Sequence, residues 1–271
     1  MKPDFSVAGK VVVITGAAGI LCSEMARELV ELGASVALLG RTAAKVEALA
    51  AELAAAGGDV LAVGCDVTDR ASVEAARDAV TAHWGRVDVL LNGAGGNRPD
   101  ANTNPNRSFF DVPQEALDDV FGLNLMGTVL PSQVFGPVLA AQGSGSIINV
   151  ASMAGIRPLT NVLGYSAAKA AVVNFTQWLS TWFCLNVSPA IRVNAIAPGF
   201  LVTEQNRNLL VDPATGEPTP RSRHILQQTP MGRYGKPEEL VGAVVYLASD
   251  ASSFVTGTVL AIDGGFSTYA I

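Results

Sequence analysis

Short apolar runs alternate with longer segments of helical periodicity along the chain. The apolar runs are rich in Val, Ile and Ala, as buried strands are, and lie near residues 10–15, 35–39, 59–64, 87–91, 145–151, 190–196 and 257–262. Helical patterns fill the gaps near residues 20–32, 42–57, 70–84, 114–141, 164–186 and 237–249. This alternation predicts an α/β fold: a single Rossmann-type, doubly wound parallel sheet with helices on both faces, in one domain over residues 1–271.

Two segments lack clean periodicity. They span about residues 96–113 and 200–236 and are rich in Asn, Pro, Gln and Arg. Both follow predicted strands, and ligands bind parallel sheets at the carboxyl ends of their strands. We therefore expect these loops to shape a substrate pocket.

A small-residue turn joins the first strand to the first helix. The β-branched run Val11–Ile14 leads into Thr15-Gly16-Ala17-Ala18-Gly19-Ile20-Leu21-Cys22. A strand, a glycine turn and a helix N-terminus together suit a pyrophosphate, because glycine allows close backbone approach and the helix dipole favours an anion. The turn therefore predicts a dinucleotide site.

The end of the second strand bears on the choice of dinucleotide. A carboxylate there would bind the ribose 2′-hydroxyl of NAD, but the strand is followed by Gly40-Arg41-Thr42. Arg41 offers a planar fork for a 2′-phosphate, which favours NADP(H) over NAD(H). The alternative is a solvated arginine at the start of the next helix.

Tyr165 and Lys169 carry the candidate chemistry. Their four-residue spacing puts both side chains on one face of a helix, where the ammonium is expected to lower the pKa of the phenol. Ser152 ends a strand thirteen residues before Tyr165 and could hydrogen-bond the same carbonyl oxygen. Such residues also occur by chance on ordinary helices and strand ends.

Composition narrows the classes of partner. Charged residues make up only 15% of the chain, which suggests wide buried helix faces and oligomerisation. The formal net charge of −6 and pI of about 4.9 argue against nucleic acid or an anionic membrane as a partner. No secretory signal or membrane-spanning stretch is expected. Cys22, Cys65 and Cys184 are far apart, so we expect no metal site and reduced thiols in the cytoplasm.

In combination these motifs resemble the short-chain dehydrogenase/reductase family over essentially all 271 residues. Ser152, Tyr165 and Lys169 match the catalytic residues of that family, and Asn124 matches a fourth member that helps to hold a water in a proton relay. The resemblance implies a homo-oligomer, most simply a tetramer, formed in part by the helix that carries Tyr165. The continuation of that helix is apolar on more than one face.

The resemblance also implies a set of cofactor contacts. Asp66 matches the residue that contacts adenine, Asn92-Gly93-Ala94-Gly95 matches a motif that supports the sheet, and Pro198-Gly199 with Thr203 matches the nicotinamide loop. The expected cofactor contacts are Gly16, Ala18, Gly19, Ile20, Leu21, Arg41, Asp66, Val67, Asn92, Ala94, Gly95, Tyr165, Lys169, Pro198, Gly199 and Thr203. Ile20 and Cys22 replace the last two glycines of the family's turn, which leaves the fit of the pyrophosphate open. Cys22 could have a lowered pKa at the helix N-terminus, or could simply pack.

The two irregular loops resemble those of the D-mannonate oxidoreductase, or fructuronate reductase, subgroup. Amides suit a polyhydroxylated chain and arginines suit a carboxylate, although polar loops are also polar when merely solvated. The candidate substrate contacts are Asn97, Arg98, Arg157, Gln205, Asn206 and Arg207.

These residues predict an NAD(P)-dependent oxidoreductase that interconverts a secondary alcohol and a ketone on a small molecule, with D-fructuronate and D-mannonate as the expected pair. Gluconate 5-dehydrogenase-like and 3-oxoacyl-carrier-protein reductase-like activities remain alternatives. A non-catalytic dinucleotide-binding protein is a further alternative, but such a protein would be free to lose Ser152, Tyr165 or Lys169.

Overall fold

The computed structural model describes residues 4–202, 210–212 and 215–269. Thr203, Gln205, Asn206 and Arg207, which are expected at the site, lie outside the described residues.

In the part of the chain that the structure describes, seven parallel strands form one sheet. They are β1 (Val11–Thr15), β2 (Ser35–Gly40), β3 (Val60–Gly64), β4 (Val89–Asn92), β5 (Gly145–Val150), β6 (Ile191–Pro198) and β7 (Val259–Ile262). The order across the sheet is β3-β2-β1-β4-β5-β6-β7. The chain crosses from one half of the sheet to the other after β3, so β1 and β4 lie side by side at the switch point, where such sheets bind ligands.

Helices cover both faces of the sheet. They are α1 (Ile20–Glu31), α2 (Ala43–Ala55), α3 (Arg70–Trp84), α4 (Gln114–Phe121), α5 (Gly127–Gln142), α6 (Met153–Ile156), α7 (Leu163–Asn186), α8 (Pro220–Gln227) and α9 (Val241–Ala248).

The core has one apolar layer on each side of the sheet. Alternate residues of a strand face opposite sides, so in β1 Val12 and Ile14 join the layer under α1 and α9, whereas Val11 and Val13 join the layer under α3, α5 and α7. Full burial of one such side chain stabilises the fold by about 1.5–3 kcal/mol. The doubly wound α/β fold predicted from the alternating pattern is thereby confirmed.

Three departures from the expected elements bear on the site. The helix expected over residues 114–141 is interrupted by a π-helical turn, Gly122–Met126. The short helix α6 directly follows Ser152 and lies in a gap of the predicted pattern. Helix α8 lies inside the loop expected over 200–236, and its start has a readable signal: Thr219 accepts a hydrogen bond from the Ser222 amide, and Pro220 occupies the first helical position.

The expectation that no stretch is long and apolar enough to span a membrane is wrong by length and composition. The helical stretch Gln114–Gln142 has 29 residues and meets both criteria. Half of its apolar window is buried against the rest of the protein, a property that core helices of globular proteins share. Length and composition by themselves are therefore weak support for a membrane role.

Candidate active site

A cleft of about 750 Å³ runs along the carboxyl ends of the central strands, at the switch point of the sheet. Its walls include most of the expected cofactor contacts, namely Gly16, Ala18, Gly19, Ile20, Leu21, Arg41, Asp66, Val67, Ala94, Gly95 and Gly199. Helix α1 begins in this wall, and among the described residues no side chain caps that end. The backbone amides there suit an anion, so these residues fit a dinucleotide with its pyrophosphate at α1.

Cys22 replaces the last glycine of the family's turn, and Gly93 makes room for it. The Cys22 Sγ atom lies 2.2 Å from the position that a Cβ atom on Gly93 would occupy, so any side chain at position 93 would overlap the sulfur. Cys22 is buried, and burial raises the pKa of its thiol to about 12. The suggestion of a lowered pKa at the helix N-terminus is therefore wrong, because desolvation outweighs the neighbouring positive charge of Lys169.

One end of the cleft is rich in polar groups. Arg41, Thr42 and Lys45 line it from the end of β2 and the start of α2, and all three are exposed. Asp66 lines the opposite side, after β3, and accepts two hydrogen bonds from Thr68, at 2.7 Å from its hydroxyl and 2.9 Å from its amide. These bonds, with a smaller contribution from Arg41, lower the pKa of the Asp66 carboxyl. This end therefore presents one carboxylate and two cations.

Helices α6 and α7 bring the catalytic candidates together. Ser152 caps α6, and its Oγ accepts a hydrogen bond from the Ala154 amide at 3.1 Å. The two helices touch at Gly155, where a Cβ atom would lie 2.6 Å from the backbone of Lys169. This close approach lets Ser152 act on Tyr165: a hydrogen bond with Ser152 favours the phenolate and lowers the phenol pKa.

The expected lowering of the Tyr165 pKa by Lys169 is not what the structure gives. Burial raises the pKa of the phenol, and the hydrogen bond with Ser152 opposes that rise only in part. The Lys169 ammonium lies 5.7 Å from the centre of the Tyr165 ring, over its face. Desolvation by the surrounding apolar side chains is thus the larger effect on this phenol.

Lys169 is itself a buried cation, with only 3% of its surface exposed. Its Nζ donates a hydrogen bond to the carbonyl oxygen of Val150, at 2.7 Å. Burial lowers the pKa of Lys169 to about 8. At neutral pH the ammonium is still the major form, but it loses its proton far more readily than an exposed lysine does.

Asn124 lies in the π-helical turn Gly122–Met126. The Gly127 amide donates to the carbonyl oxygen of Gly122, five residues back, and this wider turn moves Asn124 inward until it is fully buried. The Asn124 amide donates to the carbonyl oxygen of Gly96 at 2.7 Å, and its oxygen accepts from the Gly96 amide at 3.2 Å. Asn124 therefore fixes the start of the loop that follows β4.

Asn124 and Lys169 approach each other beside Gly95. The Asn124 Oδ1 and Lys169 Nζ atoms lie 2.8 Å and 3.1 Å from the place that a Cβ atom on Gly95 would occupy. The expected fourth residue thus lies next to the expected lysine, as a shared proton path requires.

Four of the expected cofactor contacts are not among the described residues that line the cleft: Asn92, Tyr165, Lys169 and Pro198. The Asn92 amide is buried inside the sheet and donates to Ser132 at 3.0 Å and to Asn149 at 2.9 Å. Asn149 in turn donates to Thr176 of α7, at 2.9 Å. These buried bonds tie β4 and β5 to α5 and α7, so the side chain of Asn92 holds the sheet together. Pro198 is buried at the end of β6.

Two of the candidate substrate arginines have other partners. Arg98 forms ion pairs with Asp100 of the same loop, at 2.6 Å, and with Asp119 of α4, so its charge is already balanced. Arg157 donates to the carbonyl oxygens of Phe266 and Tyr269. Either guanidinium would therefore have to exchange these partners in order to bind a substrate carboxylate.

Asn97 remains at the start of the loop after β4. Its side chain is exposed, and its amide donates to the Asn102 side chain at 3.0 Å. An exposed amide can exchange this partner for a ligand at small cost.

Several residues of the cleft wall were not anticipated as contacts from the sequence. They are Cys22, Gly40, Thr42, Lys45, Cys65, Gly93, Leu123, Val150, Phe200 and Leu201. One of them had a usable signal, because Lys45 is a second basic residue close to Arg41 and lies in the first turn of the helix that follows it.

Comparison with known proteins identifies the family of this chain. The profile of the family described as enoyl-(acyl carrier protein) reductase matches residues 16–267. An oxidoreductase from Bacillus subtilis, UxuB, whose activity is uncharacterised, is 47% identical across 98% of this chain and 97% of its own length. The chain therefore belongs to the short-chain dehydrogenase/reductase family and is an oxidoreductase.

Two solved structures resemble it over nearly their whole length. A Haemophilus influenzae protein with bound NAD, provisionally assigned as a D-mannonate oxidoreductase, is 42% identical and has a TM-score of 0.92, with 98% of this chain and 97% of that chain covered. A Beutenbergia cavernae protein with NADP at low occupancy, provisionally assigned as an NAD(P)-dependent gluconate 5-dehydrogenase, is 35% identical and has a TM-score of 0.85, with 99% and 100% covered.

Proposed function

We propose that this protein transfers hydride reversibly between a nicotinamide dinucleotide and a sugar acid, with D-fructuronate and D-mannonate as the ketone and alcohol. The observation that carries the chemistry is the juxtaposition of Ser152, Tyr165 and Lys169 at the carboxyl end of β5, beside a dinucleotide-sized cleft. The dinucleotide, when bound, supplies or accepts the hydride.

The side chains supply the proton chemistry. In the reducing direction Tyr165 gives its phenolic proton to the carbonyl oxygen of the substrate as the general acid. The Ser152 hydroxyl, which shares a hydrogen bond with Tyr165, can turn its proton to the carbonyl oxygen of the substrate and stabilise the charge that develops there. The Lys169 ammonium stabilises the phenolate left behind, and Asn124, next to Lys169, completes a path for the returning proton.

NADP(H) is the proposed preferred cofactor. β2 ends in Gly40, so no carboxylate at that strand end competes for the 2′ position of the ribose. Arg41 and Lys45 line the same end of the cleft, where two cations favour a phosphate. The Haemophilus influenzae relative holds NAD and the Beutenbergia cavernae relative holds NADP, so both cofactors occur among similar proteins.

A sugar acid as substrate is supported by the loops and by one relative. Asn97, five residues after the end of β4, offers both a donor and an acceptor for a hydroxyl group. Arg207 is the first choice for the carboxylate, with Gln205 and Asn206 as neighbours, and all three lie outside the described residues. The Haemophilus influenzae protein carries a D-mannonate assignment, and 42% identity over the whole chain makes a related substrate the leading hypothesis.

A homotetramer in the cytoplasm is proposed as the working form. The outer face of α7 exposes Trp178 (58%), Trp182 (41%) and Leu185 (79%), and the two indoles stack with their ring centres 6.4 Å apart. An apolar patch of this kind suits a protein interface. Cys22 and Cys65 are buried free thiols, in keeping with a reducing compartment.

The test of the function is a substrate panel with purified protein. Hexuronates, aldonates, neutral polyols, neutral ketoses and ketoacyl thioesters are each supplied with NADPH and NADH, or with the oxidised forms, and the absorbance of the reduced nicotinamide is followed. Turnover of D-fructuronate well above that of neutral ketoses supports the proposal. Preference for a gluconate-type substrate or for a ketoacyl thioester would replace the substrate assignment, and no turnover of any member would contradict the enzymatic function.

A further inference from the structure

The segment after β7 is folded back against the catalytic helices and held there by Arg157. Arg157 is the residue that directly succeeds α6, five positions after Ser152. Its Nη1 atom donates to the carbonyl oxygens of Tyr269, at 2.9 Å, and of Phe266, at 3.3 Å. The guanidinium carbon also lies 5.7 Å from the centre of the Phe266 ring. Arg157 therefore binds this segment through two backbone carbonyl groups and the face of one aromatic ring.

A second anchor fixes the start of the same segment. The Asp263 carboxylate, directly after β7, accepts from the amides of Gly265, at 2.9 Å, and Ser267, at 2.8 Å. Asp263 thus orders the turn that leads into Phe266, and Arg157 holds the stretch from Phe266 to Tyr269. Residues 264–269 are therefore held by hydrogen bonds at both ends of the segment.

Phe266 extends this arrangement to the cofactor cleft. Its ring is only 6% exposed and meets the Phe200 ring edge to face, with centres 5.1 Å apart and planes at 68°. Phe200 lines the cleft directly after Gly199. A continuous set of contacts therefore runs from Arg157 through Phe266 to the wall of the cleft.

The same ring belongs to the apolar surroundings of the general acid. Phe266 clusters with Met153, Ala154, Leu210 and Ile225, and Tyr165 packs against that cluster. A substrate whose carbonyl oxygen reaches Tyr165 therefore comes close to the cluster against which Tyr165 packs. The position of Phe266 therefore bears directly on the space left for the carbon chain of the substrate.

We propose that Arg157 is a positioning residue that determines substrate fit, because it holds residues 266–269 as one wall of the substrate site. In this role its guanidinium is occupied by the protein's own carbonyl groups and does not bind the substrate carboxylate. The inference rests on the proposed chemistry at Tyr165, and it is independent of which ketone is the substrate.

The decisive experiment compares two kinds of substrate in Arg157→Met and Arg157→Lys. Methionine keeps an apolar stem and removes the donors, whereas lysine keeps a charge and one point of donation. In Arg157→Met the KM should rise about tenfold, as loss of a charge-assisted hydrogen bond implies, and equally for a hexuronate and for a neutral ketose. The kcat should stay within about twofold, since the proton-transfer groups are untouched. Arg157→Lys should show a smaller rise in KM than Arg157→Met.

Two results would overturn the proposal. A rise in KM for the hexuronate with no change for the neutral ketose would make Arg157 a direct carboxylate ligand. No change for either substrate would leave it without a role in substrate fit. Arg27 of α1 is a half-buried arginine paired with Glu52 of α2, so Arg27→Met is the matched control and should leave both KM values unchanged.

A second readout needs no substrate, so it separates failure of this inference from failure of the proposed function. Amide hydrogen exchange of residues 264–269, followed by mass spectrometry, should become at least about tenfold faster in Arg157→Met and remain unchanged in Arg27→Met. Phe266→Leu should raise KM as Arg157→Met does, and the double variant should raise it by less than the product of the two factors. An unchanged rate of amide hydrogen exchange in Arg157→Met would contradict the positioning role, even if the panel shows no sugar-acid activity. The role would also be contradicted if the rise in KM of the double variant equals the product of the two single rises.

Discussion

The Nζ atom of Lys169 donates a 2.7 Å hydrogen bond to the carbonyl oxygen of Val150, the last residue of β5. The strand that ends in Val150 also positions Ser152, two residues later, so the buried ammonium and the serine hydroxyl are placed by one strand end. This relationship explains why the ammonium lies over the ring of Tyr165 and is kept away from solvent. It also gives Lys169 a measurable effect on stability.

Loss of Lys169 should change how stability depends on pH. The folded pKa of about 8 lies below the unfolded value of 10.5, so between these values the unfolded chain binds more protons and the free energy of unfolding rises with pH. In Lys169→Met this rise should be missing. Urea unfolding at pH 7.5, 8.5 and 9.5 should show the free energy of unfolding of the wild type gaining on that of the variant.

The thiols of Cys22 and Cys65 and the Tyr165 phenol act in the opposite direction. Their pKa values are raised in the folded protein, so they reduce stability as pH rises above their unfolded values. They are present in both proteins, so the difference between wild type and Lys169→Met reports the lysine together with its electrostatic coupling to Cys22. A difference that stays constant from pH 7.5 to 9.5 would refute the burial argument.

Tyr165→Phe should abolish most turnover and leave cofactor binding intact. The change removes one hydroxyl and keeps the ring, and a general acid typically contributes ~10²–10⁴-fold in rate. Turnover is measured with the best substrate of the panel, and cofactor binding by fluorescence titration. Tyr246→Phe, on α9 and packed near Phe5, is the matched control and should behave as wild type. Turnover near that of the control would remove Tyr165 from its assigned role.

Arg41→Ala should weaken NADPH binding far more than NADH binding. A hydrogen bond to a charged group contributes on the order of 1.5–3 kcal/mol, so the Kd for NADPH should rise at least about tenfold. Titration of both cofactors against wild type and variant checks this, with Arg77→Ala as a control because that side chain pairs with Asp78 on α3. The cofactor proposal is wrong if the wild type prefers NADH, or if Arg41→Ala weakens the binding of both cofactors equally.

Arg207→Ala should raise KM for a hexuronate far more than for a neutral ketose. The reason is the loss of a bidentate partner for the carboxylate, which a neutral substrate lacks. The measurement is the ratio of the two KM values in wild type and variant, and a ratio that does not change would exclude Arg207 as the carboxylate ligand. This selective pattern is the opposite of the uniform one expected for Arg157→Met, so each variant serves as a reference for the other.

Leu185→Glu should weaken the proposed tetramer. Leu185 is 79% exposed at the end of α7, and burying a carboxylate in an apolar interface is costly. Light scattering at micromolar concentration should give a tetramer for the wild type and a smaller mass for the variant. Leu32→Glu, at another exposed leucine (46%), should keep the wild-type mass. A monomeric wild type would exclude the oligomer altogether.

The fold and the catalytic set could be predicted because their signals are local. Strand and helix periods are visible in short windows, and Tyr165 with Lys169 is a spacing within one helix. The partners of Arg98 and Arg157 are not local in this sense. Arg98 pairs with Asp119, 21 residues away, and Arg157 with the carbonyl of Tyr269, 112 residues away. The sequence shows two basic residues near the site but not that other groups already occupy them.

Two further features were missed because the sequence gives no local signal for them. The direction of the Tyr165 pKa depends on burial by residues from distant elements, such as Phe200 and Phe266, and no spacing rule counts these. The π-helical turn at Asn124 widens one turn of a helix by a single residue, which leaves the apolar pattern on either side nearly unchanged.

The sulfur of Cys22 has a consequence for inhibitor design. A thiol on the wall of a cofactor cleft is an obvious target for an electrophilic warhead, but the thiolate is the species that reacts. With a pKa of about 12, Cys22 is almost entirely protonated at neutral pH, and only 4% of its surface is exposed. Covalent ligands built for this cleft should therefore leave Cys22 unmodified, and selectivity is better sought through noncovalent contacts that need a sulfur-sized wall at this position.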